Sequence, residues 1–160
     1  MVTTSDGIHL CTPGGERPPP DILLVEDGPD ELYLLRKGFD TGPLPVVLHD
    51  VPSVSEALAF LRHAGPYRQA LLPQLIVTSI NLAGQSGFDL IGAVKHDPAL
   101  RAIPIIVFST YDQPAIIRKS YALGANCYIT KPQELDAFFA SIHTIVEYCF
   151  TVALCDDAGS

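Results

Sequence analysis

The sequence predicts an α/β fold in which one parallel sheet is covered by helices on both faces. Short apolar runs rich in β-branched residues occur five times along the chain, and they alternate with amphipathic segments of helical period. Gly or Pro residues separate most of these segments. Strands that are buried on both faces give such continuous apolar runs, and their alternation with helices is typical of repeated βαβ units.

Composition and charge narrow the class of protein. The chain has 160 residues, of which 48% are hydrophobic, so it is long enough for one domain with a substantial core. A formal net charge of -8 argues against nucleic acid as the main ligand. No apolar run approaches the roughly 20 residues that span a bilayer, and the amino terminus lacks a signal-peptide pattern. We therefore expect a cytoplasmic protein that binds neither nucleic acid nor membrane.

The domain is expected to span residues 21–154. Residues 1–20 are rich in Pro and Gly and lack apolar periodicity, which predicts a disordered amino-terminal tail. Residues 155–160 are expected to form a short carboxyl-terminal tail.

The first strand–helix unit follows this tail. Ile22–Val25 is a continuous apolar run, as expected of a buried strand. Pro29 suits the first position of a helix, and Asp30 and Glu31 complement the positive end of the helix dipole. The buried face of this helix is expected to carry Leu32, Leu35 and Phe39.

The second unit begins with a strand over Val46–Val51. Ser53, with Glu56 three residues later, forms a capping-box pattern that opens a second helix. Ala57, Leu58 and Leu61 give its inner face, and the helix is expected to end near Gly65.

The third and fourth units repeat the pattern. Leu75–Ile80 reads as a third strand, followed by a helix over Gly87–His96. Ile103–Ser109 is apolar throughout and predicts a fourth strand, and Pro114–Leu123 predicts a fourth helix that ends at Gly124.

The fifth unit completes the sheet. Cys127–Thr130 predicts a short strand, and the last helix is expected to run from Gln133 to about Leu154. Five parallel strands joined by right-handed crossovers allow few topologies. We predict a single doubly wound (βα)5 domain with the flavodoxin-like strand order 2-1-3-4-5.

Polar side chains follow four of the predicted strands, at the edge where ligands bind in such sheets. The residues at these strand ends are Glu26, Asp27, Ser79, Ser109, Thr110 and Lys131. Adjacent carboxylates suit Mg²⁺, while hydroxyls and an ammonium group suit a phosphoryl group. The sequence therefore predicts one shared pocket at this edge.

The chain resembles the receiver domains of two-component response regulators over residues 21–154. The segments that carry the resemblance are DILLVEDGPDE, PQLIVTSINLAGQSGFDLI, IPIIVFST and LGANCYITKP. The segment ANCYITKP and the long last helix are most similar to the small stand-alone regulators that partner bacterial phytochrome histidine kinases. The resemblance implies signalling through a histidine kinase or another response regulator, with no enzymatic activity.

The resemblance also implies roles for the strand-end residues. The acidic pair Glu26-Asp27 corresponds to the receiver Mg²⁺ site. Ser109, Thr110 and Lys131 correspond to the residues that sense a phosphoryl group, and Tyr128 corresponds to the aromatic switch.

Ser79 stands where the resemblance places the phospho-accepting Asp. No carboxylate lies between Gln74 and Phe88 that could take its role. A carboxylate attacks while already ionised, whereas a serine hydroxyl needs a base. We therefore expect a receiver that works without aspartyl phosphorylation, requires no cofactor and binds Mg²⁺ only weakly because a negative ligand is lost.

Receivers commonly signal through the face formed by their fourth and fifth helices and fifth strand. On this chain that face is expected to include Tyr121, Tyr128, Phe139, Tyr148 and Phe150. We expect it to bind a partner or a second copy of the chain. Only CDDAGS follows Leu154, so we expect no output domain and no promoter binding.

Other functions remain open at this stage. The pocket could bind Mg²⁺ or phosphate without covalent chemistry. A hydrolase-like α/β enzyme using Ser79 is a second alternative, although the GxSxG elbow is missing. A true flavodoxin is a third, although the acidic segment after the first strand would repel its phosphate.

Overall fold

The computed structural model describes residues 18–152, with side chains as far as Phe150. Five parallel strands form the main sheet: β1 Asp21–Val25, β2 Val47–Val51, β3 Leu75–Thr78, β4 Ile105–Ser109 and β5 Cys127–Thr130. Their order in the sheet is β2-β1-β3-β4-β5. The predicted fold class and strand order are confirmed.

Five α-helices connect or follow the strands: α1 Pro29–Asp40, α2 Val54–Leu61, α3 Gly87–His96, α4 Pro114–Ala122 and α5 Leu135–Glu147. The expected cap is present at α2, where the Ser53 hydroxyl accepts a hydrogen bond from the Glu56 N–H at 3.2 Å. The Ser86 hydroxyl caps α3 by accepting from the Phe88 N–H at 3.2 Å. Serine oxygens at these positions satisfy N–H groups that have no partner within the helix.

The sheet separates two apolar cores, because alternate residues of a strand point to opposite faces. Leu23 and Val25 of β1 pack in the core that is covered by α2 and α3, whereas Ile22 and Leu24 pack in the core that is covered by α1 and α5. All four side chains are essentially inaccessible to solvent. This two-sided burial explains why the strands read as uninterrupted apolar runs.

The loop after β3 is more structured than the sequence indicates. The strand ends at Thr78 and not at Ile80, and the following residues form a short antiparallel hairpin, Asn81–Leu82 with Gln85–Ser86. Its turn uses Ala83 and Gly84, which have φ angles of 27° and 79°. The apolar residues Ile80 and Leu82 are buried all the same, which is why the apolar run overestimates the strand.

The predicted last helix was wrong at its start and in its regularity. Its α-helical part begins at Leu135, because Glu134 has extended backbone angles and acts as the N-cap. It ends at Glu147 and continues as a π-helical turn over Tyr148–Val152. β4 likewise begins at Ile105 and not at Ile103.

The predicted tails lie largely outside the described residues, which exclude 1–17 and 153–160. The Pro20 carbonyl accepts a hydrogen bond from the Val47 N–H at 2.8 Å, which joins the residue before β1 to β2. None of the helices within residues 18–152 combines the length and hydropathy that a membrane span requires.

Candidate functional site

A cleft of about 220 Å³ opens at the carboxyl ends of β1, β3, β4 and β5. We call it the strand-end cleft, and it is lined by Glu26, Asp27, Gly28, Glu31, Ser79, Asn81, Ser109, Thr110, Tyr111 and Lys131. The structure thus brings together all six residues that the sequence predicts at the strand ends. It adds Glu31, Asn81 and Tyr111, which the sequence reasoning did not assign to the pocket.

Lys131 is the buried cation of the cleft, with 6% of its side chain exposed. Its ammonium group donates to Glu26 Oε2 at 3.2 Å and also to the Glu31 carboxylate. The Phe108 ring lies 5.8 Å from the same nitrogen. A hydrogen bond from the Lys131 N–H to the Ser109 carbonyl, 2.8 Å long, fixes the backbone at this point.

Glu26 is the buried carboxylate of the cleft. Burial raises its pKa above the ordinary value, and this effect outweighs the opposing attraction of Lys131 and the hydrogen bond from the Gly28 N–H. That N–H donates to Glu26 Oε1 at 3.1 Å, so each carboxylate oxygen has a partner within the protein.

Glu31 changes the charge of the cleft. Of the residues predicted at the strand ends, only Glu26, Asp27 and Lys131 are charged, and together they carry one net negative charge. With Glu31, three carboxylates face one ammonium group, so the lining carries two negative charges. The sequence did not assign Glu31 to this pocket, whereas the loss of a negative ligand at Ser79 stays a prediction. Glu31 lies one helical turn beyond Asp27, and finding it required knowing that the start of α1 meets the end of β5.

Asp27 is exposed and stabilises the hairpin after β3, because its Oδ2 accepts a hydrogen bond from the Ala83 N–H at 2.9 Å. Within residues 18–152, no three His, Cys, Asp or Glu side chains are arranged to hold a metal ion. Glu26 and Asp27 both have protein partners, with which a divalent cation would have to compete.

Ser79 is half-buried at the end of β3, and its backbone is tightly held. Its N–H donates to the Val25 carbonyl at 3.1 Å, and its carbonyl accepts from the Thr78 hydroxyl at 2.9 Å. Gly87 packs against the same carbonyl, where a Cβ atom would lie 2.2 Å from the oxygen. The hydroxyl therefore projects from a rigid segment.

The hydrolase alternative finds no support in this geometry. Among residues 18–152, no histidine lines the strand-end cleft. His49 is paired with Asp21 at 2.8 Å, and His143 contacts the Thr41 hydroxyl at 3.1 Å. Ser79 thus has no histidine base of the kind that activates a serine nucleophile.

Tyr128 and Ser109 meet at Tyr111, on the rim of the cleft. The buried Ser109 hydroxyl accepts from the Tyr111 N–H at 3.2 Å, and the Tyr128 hydroxyl donates to the Tyr111 carbonyl at 2.6 Å. Burial raises the pKa of Tyr128. The Tyr128 N–H in turn donates to the Tyr121 hydroxyl at 3.0 Å, so these contacts connect the cleft to α4.

The predicted interaction face is only partly exposed. Tyr121 and Tyr148 expose 48% and 67% of their surface. Phe139 instead lies against α1, where a Cβ on Gly38 would be 3.2 Å from its ring, and Phe150 packs on the core beneath α5. Both phenylalanines are half-buried, because this side of α5 lies toward α1 and the sheet, and their part in an interaction face stays a prediction.

Comparisons with known proteins point to one family. The model of the response regulator receiver domain matches residues 22–143. Response regulator Rcp1 of the cyanobacterium Synechocystis is 31% identical over 131 residues, which cover 82% of this chain and 89% of Rcp1.

Two solved structures agree with this match. The phosphorylated cyanobacterial phytochrome response regulator RcpA superimposes with a TM-score of 0.81 at 34% identity, covering 85% of this chain and 97% of RcpA. The Mn²⁺-bound form of response regulator Rcp1 gives a TM-score of 0.79 at 31% identity, covering 86% of this chain and 99% of that one.

Proposed function

Because the chain belongs to the family of response regulator receiver domains, we propose that it acts in two-component signalling without aspartyl phosphorylation. In this proposal the domain transmits a signal by binding another protein and performs no catalytic turnover. Its partner is a histidine kinase or another response regulator. The similarity to RcpA and Rcp1 favours a kinase of the phytochrome type.

The observation that carries the proposal is the side chain at the end of β3. Ser79 lines the cleft beside Lys131 and Ser109, at the position that the family resemblance gives to the phospho-accepting Asp. The hairpin that follows contributes no carboxylate, since residues 75–87 contain neither Asp nor Glu. Transfer to a serine would require its proton to be removed, and no histidine of the described chain lines the cleft to do so.

The remaining carboxylates are poor substitutes for an acceptor. Glu26 is buried and hydrogen-bonded at both oxygens, and its raised pKa reflects the cost of holding its charge there. Asp27 is bound to the Ala83 N–H across the cleft. Glu26 would have to leave its partners before it could form a bond to phosphorus, and Asp27 already uses one oxygen to hold the hairpin.

The mass of the intact protein tests this proposal. Wild-type protein and the Ser79→Ala variant are each incubated with acetyl phosphate and Mg²⁺, and then with candidate histidine kinases and ATP. We expect neither protein to gain a phosphoryl group. A stoichiometric phosphoryl adduct on the wild type, whichever residue carries it, would contradict the proposal.

Binding to the kinase provides the positive test. We expect the Ser79→Ala variant to bind a cognate kinase as tightly as the wild type, because the interaction does not depend on this hydroxyl. We further propose that Tyr121 and Tyr148 contribute to the surface for a partner or a second copy. Replacing either with Ser should weaken the association, whereas Tyr33→Ser, at a position exposed to 63% on α1, serves as the control.

A second candidate function is noncovalent binding of a divalent cation. The two net negative charges of the cleft and the Mn²⁺-bound structure of Rcp1 favour it. In this case Mn²⁺ should broaden the amide NMR signals around Asp27, and Asp27→Asn should abolish the effect. Because Asp27 and Glu26 must first release their protein partners, we expect such binding to be weak.

A further inference from the structure

Glu31 and Lys131 form an ion pair to which neither the sequence motifs nor the proposed function gives a role. We infer that Glu31 is a built-in counter-ion for Lys131 that excludes phosphate and phosphoryl anions from the strand-end cleft. This inference deepens the proposed function and rests on it, since it explains how the cleft is stabilised without an acceptor carboxylate at Ser79.

The ammonium group of Lys131 already has two carboxylate partners. A lysine ammonium has three N–H donors and no acceptor. On Lys131, one donates to Glu26, one donates to Glu31, and the Phe108 ring faces the nitrogen from 5.8 Å. An anion that enters the cleft must therefore compete with Glu31 and Glu26 for this cation.

The two carboxylates that bind Lys131 differ in their exposure to solvent. Glu26 is 6% exposed and is also bound to the Gly28 N–H, so it forms part of the buried framework. Glu31 is 43% exposed and reaches Lys131 from the first turn of α1. Glu31 is therefore the partner of the ammonium group that is more accessible from solvent.

The net charge of the strand-end cleft also opposes the binding of an anion. The lining carries three carboxylates against one ammonium group, so a phosphate anion meets net repulsion as well as an occupied cation. Removing the carboxylate at position 31 halves the net negative charge and exposes Lys131 in one step. At contact distance a unit charge changes a binding equilibrium severalfold even when solvent screens it strongly.

Asp30 supplies a matched control on the same helical turn. It is exposed and acidic and lies next to Glu31 in the sequence, but it does not line the cleft. Asp30→Asn and Glu31→Gln each remove one negative charge from the first turn of α1. Only the second variant removes the counter-ion of Lys131.

The experiment is a titration with inorganic phosphate followed by amide NMR signals at Ser109 and Lys131, at constant ionic strength set with chloride. For Glu31→Gln we expect saturable shifts, with half-saturation at a phosphate concentration about tenfold or more below any wild-type response. Asp30→Asn should resemble the wild type. Equal binding by the wild type and Glu31→Gln, no binding by Glu31→Gln, or an equal gain in Asp30→Asn would each overturn the inference.

The ¹⁵N signal of the Lys131 ammonium group gives a second measurement without added phosphate. It should move in Glu31→Gln and stay in place in Asp30→Asn, and an unmoved signal in Glu31→Gln would overturn the inference. These outcomes are separate from the mass measurement on the wild type, because phosphate exclusion is read as reversible binding and the proposed function as a covalent adduct.

Discussion

Gly87→Ala is predicted to destabilise the fold, although alanine is ordinarily the better helix former. Gly87 begins α3 directly beneath the end of β3. A Cβ atom there would lie 2.2 Å from the Ser79 carbonyl oxygen, 3.1 Å from its carbon and 3.0 Å from the Ile80 Cα. All three are backbone atoms, so no side-chain rotation can relieve the clash.

The size of the effect follows from this geometry. Restoring an ordinary contact requires the start of α3 or the end of β3 to move by about 1 Å, and the 2.7 Å hydrogen bond from the Gly87 N–H to the Ile80 carbonyl resists that movement. Overpacking of this kind typically costs about 1–3 kcal/mol. The better helix propensity of alanine offsets at most about 1 kcal/mol of that. We expect a net loss of about 1–2 kcal/mol.

Urea unfolding followed by circular dichroism measures the loss, with Gly92→Ala as the control. Gly92 lies in the same helix, but a Cβ atom there has no heavy atom within 4 Å. This variant should gain about 0.5–1 kcal/mol from helix propensity and reduced chain entropy. If Gly87→Ala proves as stable as Gly92→Ala, the close approach of α3 to Ser79 is not a structural constraint and the reasoning is refuted.

Three further predictions concern single side chains. Tyr128→Phe should cost about 1 kcal/mol in urea unfolding, because the Tyr111 carbonyl loses its donor. Burial raises the pKa of Tyr128, so its protonated hydroxyl stabilises the fold fully below about pH 10. This stabilisation is lost as the pH rises through the pKa of the folded state, and Tyr128→Phe should lack that decline. Burial likewise raises the pKa of Glu26, so the contribution of this carboxyl group to folding stability is largest below pH 4.5, the pKa of the unfolded state. It declines as the pH rises through the pKa of the folded state. Glu26→Gln should flatten this part of the dependence of stability on pH. Lys95→Met should cost about 1–3 kcal/mol, because the Lys95 ammonium donates to two carbonyls of the loop before β4, at 3.1 and 2.8 Å.

For each of these predictions, one experimental outcome would contradict it. Tyr33→Phe, at an exposed position, should leave stability unchanged, and a Tyr128→Phe variant that behaved the same way would show that its hydroxyl contributes nothing. An unchanged pH profile in Glu26→Gln would mean that the buried carboxylate does not govern that range. Wild-type stability in Lys95→Met would mean that solvent satisfies both carbonyls.

Most of the fold follows from patterns that are local in the sequence. Strands buried on both faces must be apolar throughout, and the Ser53 cap marks where α2 begins, so the order of the elements along the chain could be predicted. The strand order followed from the right-handed crossovers of parallel strands. The errors lie where tertiary contacts override the local pattern. Ile80 and Leu82 are apolar because they are buried, not because they extend β3. The end of α5 departs from α-helical geometry at Tyr148, where the sequence stays apolar and gives no stop signal.

The site was predictable only as far as the strand ends determine it. Residues at the carboxyl ends of parallel strands, or directly after them, must meet at one edge of the sheet, which explains why Ser79, Ser109 and Lys131 could be placed in one cleft. Glu31 reaches the cleft from a helix, and its role depends on an ion pair with a residue 100 positions later in the chain. Tyr111 takes part through its backbone N–H and carbonyl, and no side-chain pattern could reveal that contribution.

The hydrogen bond between Tyr121 and Tyr128 also bears on aggregation. β5 is an edge strand of the sheet, and edge strands offer backbone donors to any extended chain that comes near. Here one of those donors, the Tyr128 N–H, is already taken by the Tyr121 hydroxyl from α4. A foreign strand could align along this edge only after α4 had given up that contact. The exposed Tyr121 of α4 thus blocks one of the donors through which the sheet could grow beyond its fifth strand.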